Sequence, residues 1–476
     1  MRKKTPLYED VAKQIIEYVR ANNVLPGQKL PGGAKLSGIL GVSKNVVFEA
    51  MDYLASEGFI NIKQSSGCYV TQSAWYDESG QPDWERFVGY KHRPPSTHIL
   101  QRTRASEGRG CLHLSILMTE SSFGYNAALG AALKDVLKDI GQTDKLITYS
   151  AYGSVETREA VRLHLAERKI HASLEQIVMA PNHDFAVDTV INSLFDGHHR
   201  GIIYAERYQT EMLKIVLPNA LLNKLELKVL PSDKYGPTLK ELRQIISGNT
   251  STRRILILNP TRRTNSSRSI SNRRRKDIYA LCTEMKLPLV EIDRMGELSP
   301  ALETFKSMDT NDSVIFINTL CCYAQLGVGM AWIVAPDYII PKILDASITP
   351  SVDQFTLNFA ILEKMLTNGH YKKFIQNLPG RMEKRIALAN EVLDRYMGDY
   401  ATWNRDMEYG MCWLRMKPTV DVAAMLAADK NIMFIPGSIF DPKDSRTIYL
   451  SPCCLTEDEL EYGIHALATL AAKYSG

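Results

Sequence analysis

The chain has 476 residues, 45% hydrophobic and 23% charged, which excludes a disordered or fibrous protein and fits two or three globular domains. The formal net charge of +4 is too small to indicate nucleic-acid binding by itself, and no apolar run reaches transmembrane length. The basic N-terminus lacks a following apolar segment and eight cysteines do not make a disulfide framework, so we expect a cytoplasmic protein with reduced thiols.

The first part of the chain, residues 1–73, has the element order of a winged helix-turn-helix domain. Apolar side chains recur at helical spacing over about Leu7–Asn22, and a Pro-Gly turn separates this helix from a short helix at Lys35–Leu40. A Gly-Val-Ser turn leads to a third helix at Lys44–Glu57, for which Ser43 is a suitable N-cap. The buried face predicted for this helix consists of Val47, Ala50, Met51 and Leu54.

Two short strands, Gly58–Ile62 and Cys68–Val70, are predicted to form the wing of this domain. In a helix-turn-helix the second helix of the turn enters the major groove of DNA, and its first residues meet the base edges. We therefore expect the third helix and the tip of the wing to bind a double-stranded operator. The predicted DNA-binding residues are Lys35, Ser43, Lys44, Asn45, Lys63, Ser65, Ser66 and Gly67.

Several short segments of this domain resemble the GntR family of bacterial regulators. They are Leu25-Pro26-Gly27-Gln28-Lys29-Leu30-Pro31, Leu40-Gly41-Val42-Ser43-Lys44, Glu57-Gly58-Phe59-Ile60 and Gly67-Cys68-Tyr69-Val70. The resemblance implies an operator of paired half-sites. Pro31-Gly32-Gly33-Ala34 stands where the family has Pro-Ser-x-Arg, and two serines precede the wing glycine, so we expect the DNA sequence preference to differ from that of relatives. A winged helix used for protein contact is the alternative.

Residues 74–110 show weak periodicity and are predicted to be a linker. Their first half is acidic, and their second half, around Pro94-Pro95, is basic. Such a charge pattern is typical of a solvated tether between domains, although the basic half could also touch DNA phosphates.

From residue 111 to residue 476 the chain has the pattern of an α/β domain. Helices at Ser154–Lys169 and Asp184–Phe195 alternate with short apolar runs, which favours a mixed, mainly parallel sheet. The predicted strands are Gln176–Met179, Gly201–Tyr204, Ile255–Leu258, Leu289–Ile292, Val314–Ile317 and Ala331–Val334. A smaller α+β lobe at about 380–476 is predicted to begin with a long helix at Gly380–Tyr396 and to include strands at Met411–Met416 and Thr447–Leu450.

This second domain resembles the fold-type-I aminotransferases. The resemblance is carried by Ser154-Val155-Glu156-Thr157-Arg158-Glu159-Ala160, Leu258-Asn259-Pro260, Leu289-Val290-Glu291-Ile292-Asp293, Thr319-Leu320-Cys321-Cys322 and Pro436-Gly437-Ser438. A GntR head on such a domain is the plan of the MocR-type regulators, which implies a homodimer built through the aminotransferase-like domain. The enzymes of this fold use a lysine to bind pyridoxal phosphate (PLP), an aspartate at the pyridine nitrogen, and arginines for the phosphate and the substrate carboxylate.

Most of these groups are missing at the positions that match. Cys322 stands where the lysine is expected, and Ile292 stands where the pyridine aspartate is expected, with Asp293 on the other face of the strand. The other mismatches are Pro181 in the phosphate loop, Gly329 at the phosphate arginine and Tyr449 at the carboxylate arginine. We therefore expect no covalent PLP, no required cofactor and no enzymatic activity.

The former cofactor pocket is predicted to bind an unknown small-molecule effector, polar or anionic. Its expected lining is Asn182, His183, Asn259, Ile292, Arg294, Thr319, Cys321, Cys322 and Tyr449. Three alternatives stay open. The domain could respond to PLP or use it weakly without a covalent bond; the pairs Cys321-Cys322 and Cys453-Cys454 could sense oxidants or soft metals; or the domain could only dimerise the DNA-binding heads.

Overall fold

The computed structural model describes residues 7–22, 24–63, 65–75, 111–116, 119–140, 150–195, 200–248, 253–261, 268–321, 323, 330–347, 356–428 and 431–475. The chain divides into two compact units, Met1–Thr97 and His98–Gly476. Each unit contains its own hydrophobic core. The predicted linker, residues 74–110, lies almost entirely outside the described residues, and its boundaries stay a prediction.

The described residues of the first unit form three α-helices and a two-stranded wing. They are α1 (Leu7–Ala21), α2 (Gly33–Leu40), α3 (Lys44–Ser56), β1 (Ile60–Lys63) and β2 (Gly67–Val70), the two strands being antiparallel. The buried face of α3 consists of the four residues predicted for it. Gly41 ends α2 with a φ of 68°, a left-handed conformation that glycine adopts without strain, and the chain turns there into α3. The predicted winged helix-turn-helix is confirmed.

The segment before α2 pairs with strand β2 like a third strand of the wing. The backbone N–H of Leu30 donates to the carbonyl of Cys68 at 2.8 Å, and that of Gly27 donates to the carbonyl of Val70 at 2.8 Å. Lys29 forms an isolated antiparallel bridge with Tyr69. The Pro-Gly turn therefore does more than end α1, because it holds the wing against the helices.

The second unit begins with the elements of its large part. These are β3 (Leu112–His113), α4 (Tyr125–Ile140), α5 (Val155–Ala166), β4 (Ile177–Ala180), α6 (His183–Leu194), β5 (Gly201–Ala205), α7 (Arg207–Val216), α8 (Asn219–Leu222), β6 (Leu225–Val229), β7 (Ser232–Asp233), β8 (Gly236–Pro237), α9 (Leu239–Ser247), β9 (Arg253–Leu258), α10 (Asn272–Glu284), β10 (Leu289–Asp293), α11 (Phe305–Met308), β11 (Val314–Thr319), β12 (Ala331–Val334), α12 (Ile340–Ser347) and α13 (Thr356–Thr367).

A seven-stranded sheet, in the order β4-β12-β11-β10-β9-β5-β6, forms the centre of this unit. Strand β12 runs antiparallel to both of its neighbours, and the other neighbouring pairs are parallel. Every residue of β5, β10, β11 and β12 is buried, as expected for strands covered by helices on both faces. The predicted α/β fold with a mixed, mainly parallel sheet is confirmed. Strand β6, an edge strand, was not predicted.

The remaining elements form the small lobe. They are α14 (His370–Tyr396), β13 (Ala401–Trp403), β14 (Cys412–Met416), α15 (Val422–Ala428), β15 (Ile432–Met433), β16 (Ile435–Pro436), β17 (Thr447–Leu450) and α16 (Glu457–Lys473). Strands β13, β14, β17 and β16 make an antiparallel sheet in that order, and β15 pairs with β3.

The long helix α14 starts ten residues earlier than the predicted Gly380, so that prediction is wrong. Pro379 lies inside the helix and lacks the N–H that an interior position normally donates. The helix continues because its buried side, which includes Tyr371, Phe374, Leu378 and Met382, runs without a break across the proline. Packing of this stripe outweighs the missing hydrogen bond.

Among the helices that the structure describes, none is long and apolar enough to span a membrane.

Candidate DNA interface and effector pocket

The exposed side of α3 carries the side chains predicted to contact DNA. Lys44 and Asn45 lie exposed in its first turn, and Lys35 is exposed on α2. Ser43 occupies the N-cap position, and its carbonyl accepts the N–H of Val47 at 3.2 Å. Its hydroxyl makes no capping hydrogen bond, which corrects the expected side-chain cap. That hydroxyl lies beside Lys44 at a helix N-terminus, where a phosphate would be favoured.

The wing tip is a tight turn beside the aromatic ring of Tyr69. Ser65 has a φ of 61° and Gly67 a φ of 115°. The hydroxyl groups of Ser66 and Tyr69 are 2.7 Å apart, and the Nζ of Lys63 lies 4.9 Å from the Tyr69 ring centroid. The predicted wing residues therefore form one polar, basic tip.

Lys29 also belongs to the wing, although the sequence analysis did not select it for DNA binding. It is exposed, and a Cβ atom at Gly67 would lie only 2.5 Å from its Cε atom. The absence of a side chain at Gly67 thus lets the lysine stem cross the wing. The sequence could have indicated this role, because Lys29 lies between Pro26 and Pro31, in one of the segments that resemble the GntR family.

The second unit contains a cavity of about 320 Å³ where its large part meets the small lobe. Residues just after four strands line it: His183 after β4, Tyr208 after β5, Asn259 after β9 and Arg294 after β10. Ligands of open α/β sheets bind at this edge, outside the carboxyl ends of the strands. The remaining described lining residues are Ser115, Asp184, Val187, Gln209, Met212, Leu213, Ile215, Val216, Ile435, Ile439, Phe440 and Tyr449.

Four of the nine predicted pocket residues line this cavity: His183, Asn259, Arg294 and Tyr449. Four others do not: Asn182, Ile292, Thr319 and Cys321. Asn182 is the N-cap of α6 and accepts the N–H of Phe185 at 2.8 Å, and Thr319 donates to the carbonyl of Met330 at 2.6 Å. Cys322 lies outside the described residues.

Aromatic rings form one wall of the cavity, and sequence analysis missed two of them. The rings of Tyr208 and Phe440 are 5.3 Å apart, and Phe440 and Tyr449 meet edge-to-face at 6.0 Å. Trp413 lies behind them, 4.8 Å from Tyr449. Tyr208 could have been found from its place after a parallel strand, whereas the approach of Phe440 depends on how the small lobe packs.

Ile292 and Asp293 point to opposite sides of β10, as the strand periodicity predicted. Ile292 is buried in an apolar cluster that also holds Ile257 and Ile317. Asp293 is 1% exposed, and its Oδ2 atom accepts a hydrogen bond from Arg168 at 2.5 Å. Its Oδ1 atom accepts the N–H of Gly296 at 2.8 Å.

The carboxylate of Asp293 is ionised and fully engaged. Burial opposes its ionisation, but the Arg168 guanidinium and the Gly296 amide outweigh burial and lower its pKa. The neighbouring Glu291 is fully buried and accepts the N–H of Lys306 at 2.9 Å; burial, and then the charge of Asp293, still raise its pKa to about 7. Strand β10 therefore offers no free carboxylate to a ligand.

Cys321, the described residue beside the predicted lysine position, is held by a relay of hydrogen bonds. Its backbone N–H donates to the hydroxyl of Tyr371 at 2.7 Å. Tyr371 donates in turn to Glu297, whose other oxygen lies 2.5 Å from Nε2 of His164. These hydrogen bonds connect the end of β11, where Cys321 lies, to helices α14 and α5. The Cys321 side chain is buried.

The described thiols of the two cysteine pairs are protected. Cys321 and Cys453 are buried, and burial raises the pKa of the half-buried Cys454 to about 12. A thiol with a raised pKa has little reactive thiolate at neutral pH. No group of three His, Cys, Asp or Glu side chains suited to a metal ion occurs in the described part of the chain.

Known transcriptional regulators resemble the chain in sequence. Residues 7–70 match the profile of the bacterial regulatory proteins, gntR family. Over 98% of its length the chain is 24% identical to the uncharacterised HTH-type transcriptional regulator YdfD of Bacillus subtilis, covering 97% of that protein. Over 94% of its length it is 19% identical to the HTH-type transcriptional regulator NorG of Staphylococcus aureus, covering all of that protein.

Solved structures resemble the second unit in fold. An archaeal alanine:glyoxylate aminotransferase matches with a TM-score of 0.70 and 19% identity, over 80% of this chain and 96% of that one. A kynurenine aminotransferase of Pyrococcus horikoshii matches with a TM-score of 0.68 and 20% identity, over 82% and 98% of the two chains. At these identities the likeness establishes the aminotransferase fold of the second unit and no activity.

The buried pair leads to a stability prediction. Asp293→Ala would leave the Arg168 guanidinium buried without its partner, and we expect a loss of about 3–5 kcal/mol from the second unit. Asp394→Ala is the control, since Asp394 pairs with Arg405 at the surface, and it should unfold at the wild-type urea concentration. Urea denaturation followed by hydrogen exchange of peptides from β10 and β11 measures this unit separately. Equal midpoints for the two variants would contradict the assignment.

Proposed function

We propose that this chain, a GntR-family transcriptional regulator of the MocR type, binds operator DNA as a homodimer and senses a small polar or anionic molecule in the cavity of its second unit. The observation that carries the proposal is the winged helix, whose third helix begins with the exposed Lys44 and Asn45. Such an arrangement lets phosphate contacts place the helix while base contacts choose the sequence. A protein that acts on DNA in a bacterium works in the cytoplasm.

The proposed DNA interface predicts that loss of a phosphate contact and loss of a base contact have different effects on affinity. Lys44→Ala should weaken binding of every duplex and reduce the slope of log affinity against log salt by about 1, because one phosphate contact is lost. Asn45→Ala should leave that slope unchanged and weaken binding about tenfold only to the preferred sequence, because a base contact is lost. Lys13→Ala, an exposed lysine of α1, is the matched control.

Fluorescence anisotropy with the full chain measures these affinities. The probes are a duplex selected from a random pool and an unselected duplex of equal length. A selected duplex that both variants bind as tightly as the wild type, at all salt concentrations, would contradict the role of α3.

The described residues of the second unit do not favour covalently bound PLP. No lysine is among the described residues that line the cavity. The ring nitrogen of PLP requires a carboxylate, but Ile292 is apolar, and Asp293 is engaged by Arg168. These features support a regulator that is not a PLP enzyme, in which Cys322 occupies the lysine position. The alternative is a regulator that responds to PLP held without a covalent bond.

Titration with PLP tests the proposed loss of the covalent site. We expect no internal-aldimine absorbance band and no mass increase after borohydride reduction, because a Schiff base requires a lysine amine in the pocket. The experiment uses the full chain, with an aminotransferase as the positive control. A single reducible adduct, mapped to one lysine of the second unit, would overturn the loss of the covalent site.

The cavity favours a small amphipathic effector. Its volume of about 320 Å³ is at the lower end for ligand pockets, and most of its lining is apolar or aromatic. Arg294 and His183 are among its polar lining residues, and Arg294 could bind a carboxylate or phosphate. No observation favours thiol or metal sensing, given the burial of Cys321 and Cys453.

Exposed apolar side chains in the second unit support the homodimer. Leu137 on α4, Leu163 on α5 and Leu357 on α13 are exposed, and α13 packs against both of the other helices. Exposed apolar side chains on neighbouring helices are compatible with a protein interface in this part of the unit.

A ligand screen tests effector sensing against the alternative of a domain that only dimerises. Thermal-shift measurements with a library of small carboxylates and phosphate monoesters should give at least one compound that stabilises the wild type. Met212→Trp, which fills the cavity, should abolish that shift. Lys214→Trp, two residues along the same helix and outside the lining, should keep it. No hit, or a shift that survives Met212→Trp, would contradict the proposed pocket.

A further inference from the structure

An aromatic side chain stands exposed on the DNA-facing helix of the first unit. Phe48 of α3 is 53% exposed, whereas the apolar side chains of Val47, Ala50, Met51 and Leu54 are buried. A phenylalanine on a small domain normally lies in the core, because burial of its ring is strongly favourable. Its exposure on this helix requires an explanation.

The position of Phe48 places it beside the two residues already assigned to DNA. It follows Asn45 by three residues and Lys44 by four, and residues at these spacings are neighbours on a helix surface. All three are exposed. The ring therefore belongs to the N-terminal half of the helix face that would enter the major groove.

Gly33 of α2 provides the space in which the ring lies. A Cβ atom at Gly33 would lie 2.9 Å from Cε1 and 3.0 Å from Cζ of Phe48. Any larger residue there would push the ring away. Gly33 occupies the variable position of the Pro-Ser-x-Arg pattern, and its lack of a side chain leaves room for an aromatic ring in a defined place on α3.

We propose that Phe48 reads DNA sequence by contacting the C5-methyl group of a thymine in the major groove. Only thymine presents a methyl group there, and phenylalanine is among the side chains that recognise it. Asn45, beside it, has the amide that pairs with the N6 and N7 atoms of adenine. The two side chains together select A·T pairs. This inference rests on the proposed DNA-binding function and adds to it the base class that the helix recognises.

Replacing thymine by deoxyuridine, which removes only the methyl group, tests the contact. The full chain first selects duplexes from a pool with a 20-base-pair random core; the preferred duplex is then made with deoxyuridine at one thymine position at a time. The wild type should lose about fourfold in affinity at one position of each half-site, the effect of one buried methyl group. At that position Phe48→Ala should bind the two duplexes equally.

Two control variants make the result specific. Lys44→Ala should weaken binding to the thymine and deoxyuridine duplexes equally, so that their ratio stays at the wild-type value. Ile39→Ala removes another exposed apolar side chain, on α2, and should also keep the ratio. Phe48→Leu retains an apolar contact and should give a thymine-to-deoxyuridine affinity ratio between those of the wild type and Phe48→Ala. This variant shows that the change in Phe48→Ala does not come from misfolding.

Distinct outcomes would overturn this inference. A Phe48→Ala variant that binds selected DNA with the wild-type thymine-to-deoxyuridine ratio at every position would exclude the methyl contact. A variant that changes self-association in analytical ultracentrifugation and leaves the ratio unchanged would assign Phe48 to a protein contact. A wild-type chain that enriches no sequence from the pool would overturn the proposed function together with the inference.

Discussion

The ion pair between Asp293 and Arg168 constrains the chemistry that the second unit can perform. Asp293 is buried and the Arg168 side chain is only 12% exposed, so neither can turn to a ligand without leaving the other as a poorly compensated charge. Because side chains alternate along a strand, the direction of Asp293 also sets that of Ile292, which joins the apolar cluster on the opposite face. One stable pair thus holds Asp293 away from the cavity, while it links strand β10 to the segment that follows helix α5.

The fold can persist without that chemistry because the two depend on different residues. The sheet is held by many apolar side chains on strands such as β5 and β11, which are buried along their whole length. Catalysis would depend on single side chains at the ends of strands. A replacement there can even add packing, since Tyr449, at the predicted carboxylate-arginine position, lies against Trp413 and Phe440.

Sequence periodicity was sufficient for most of the fold and for part of the cavity. Strands buried on both faces are continuous apolar runs and were found to within about two residues, whereas β6 alternates Leu-Glu-Leu-Lys-Val at the sheet edge and was missed. His183, Asn259 and Arg294 were predicted from the resemblance to the aminotransferases, and they line the cavity because each follows a strand that ends at the same edge of the sheet. Phe440 could not, because its contact with the cavity depends on how the small lobe packs, which no local pattern encodes.

In the first unit, binding strength and sequence choice would come from different side chains. The exposed lysines of α2, α3 and the wing can neutralise phosphates on any duplex, and salt would weaken these contacts equally for all sequences. Asn45 and Phe48 carry no charge, so discrimination by them would respond little to salt. The space beside Gly33 makes this division possible, because a charged or bulky residue there would displace the ring from the helix face. A regulator built in this way would keep its base preference at high ionic strength even as its total affinity falls.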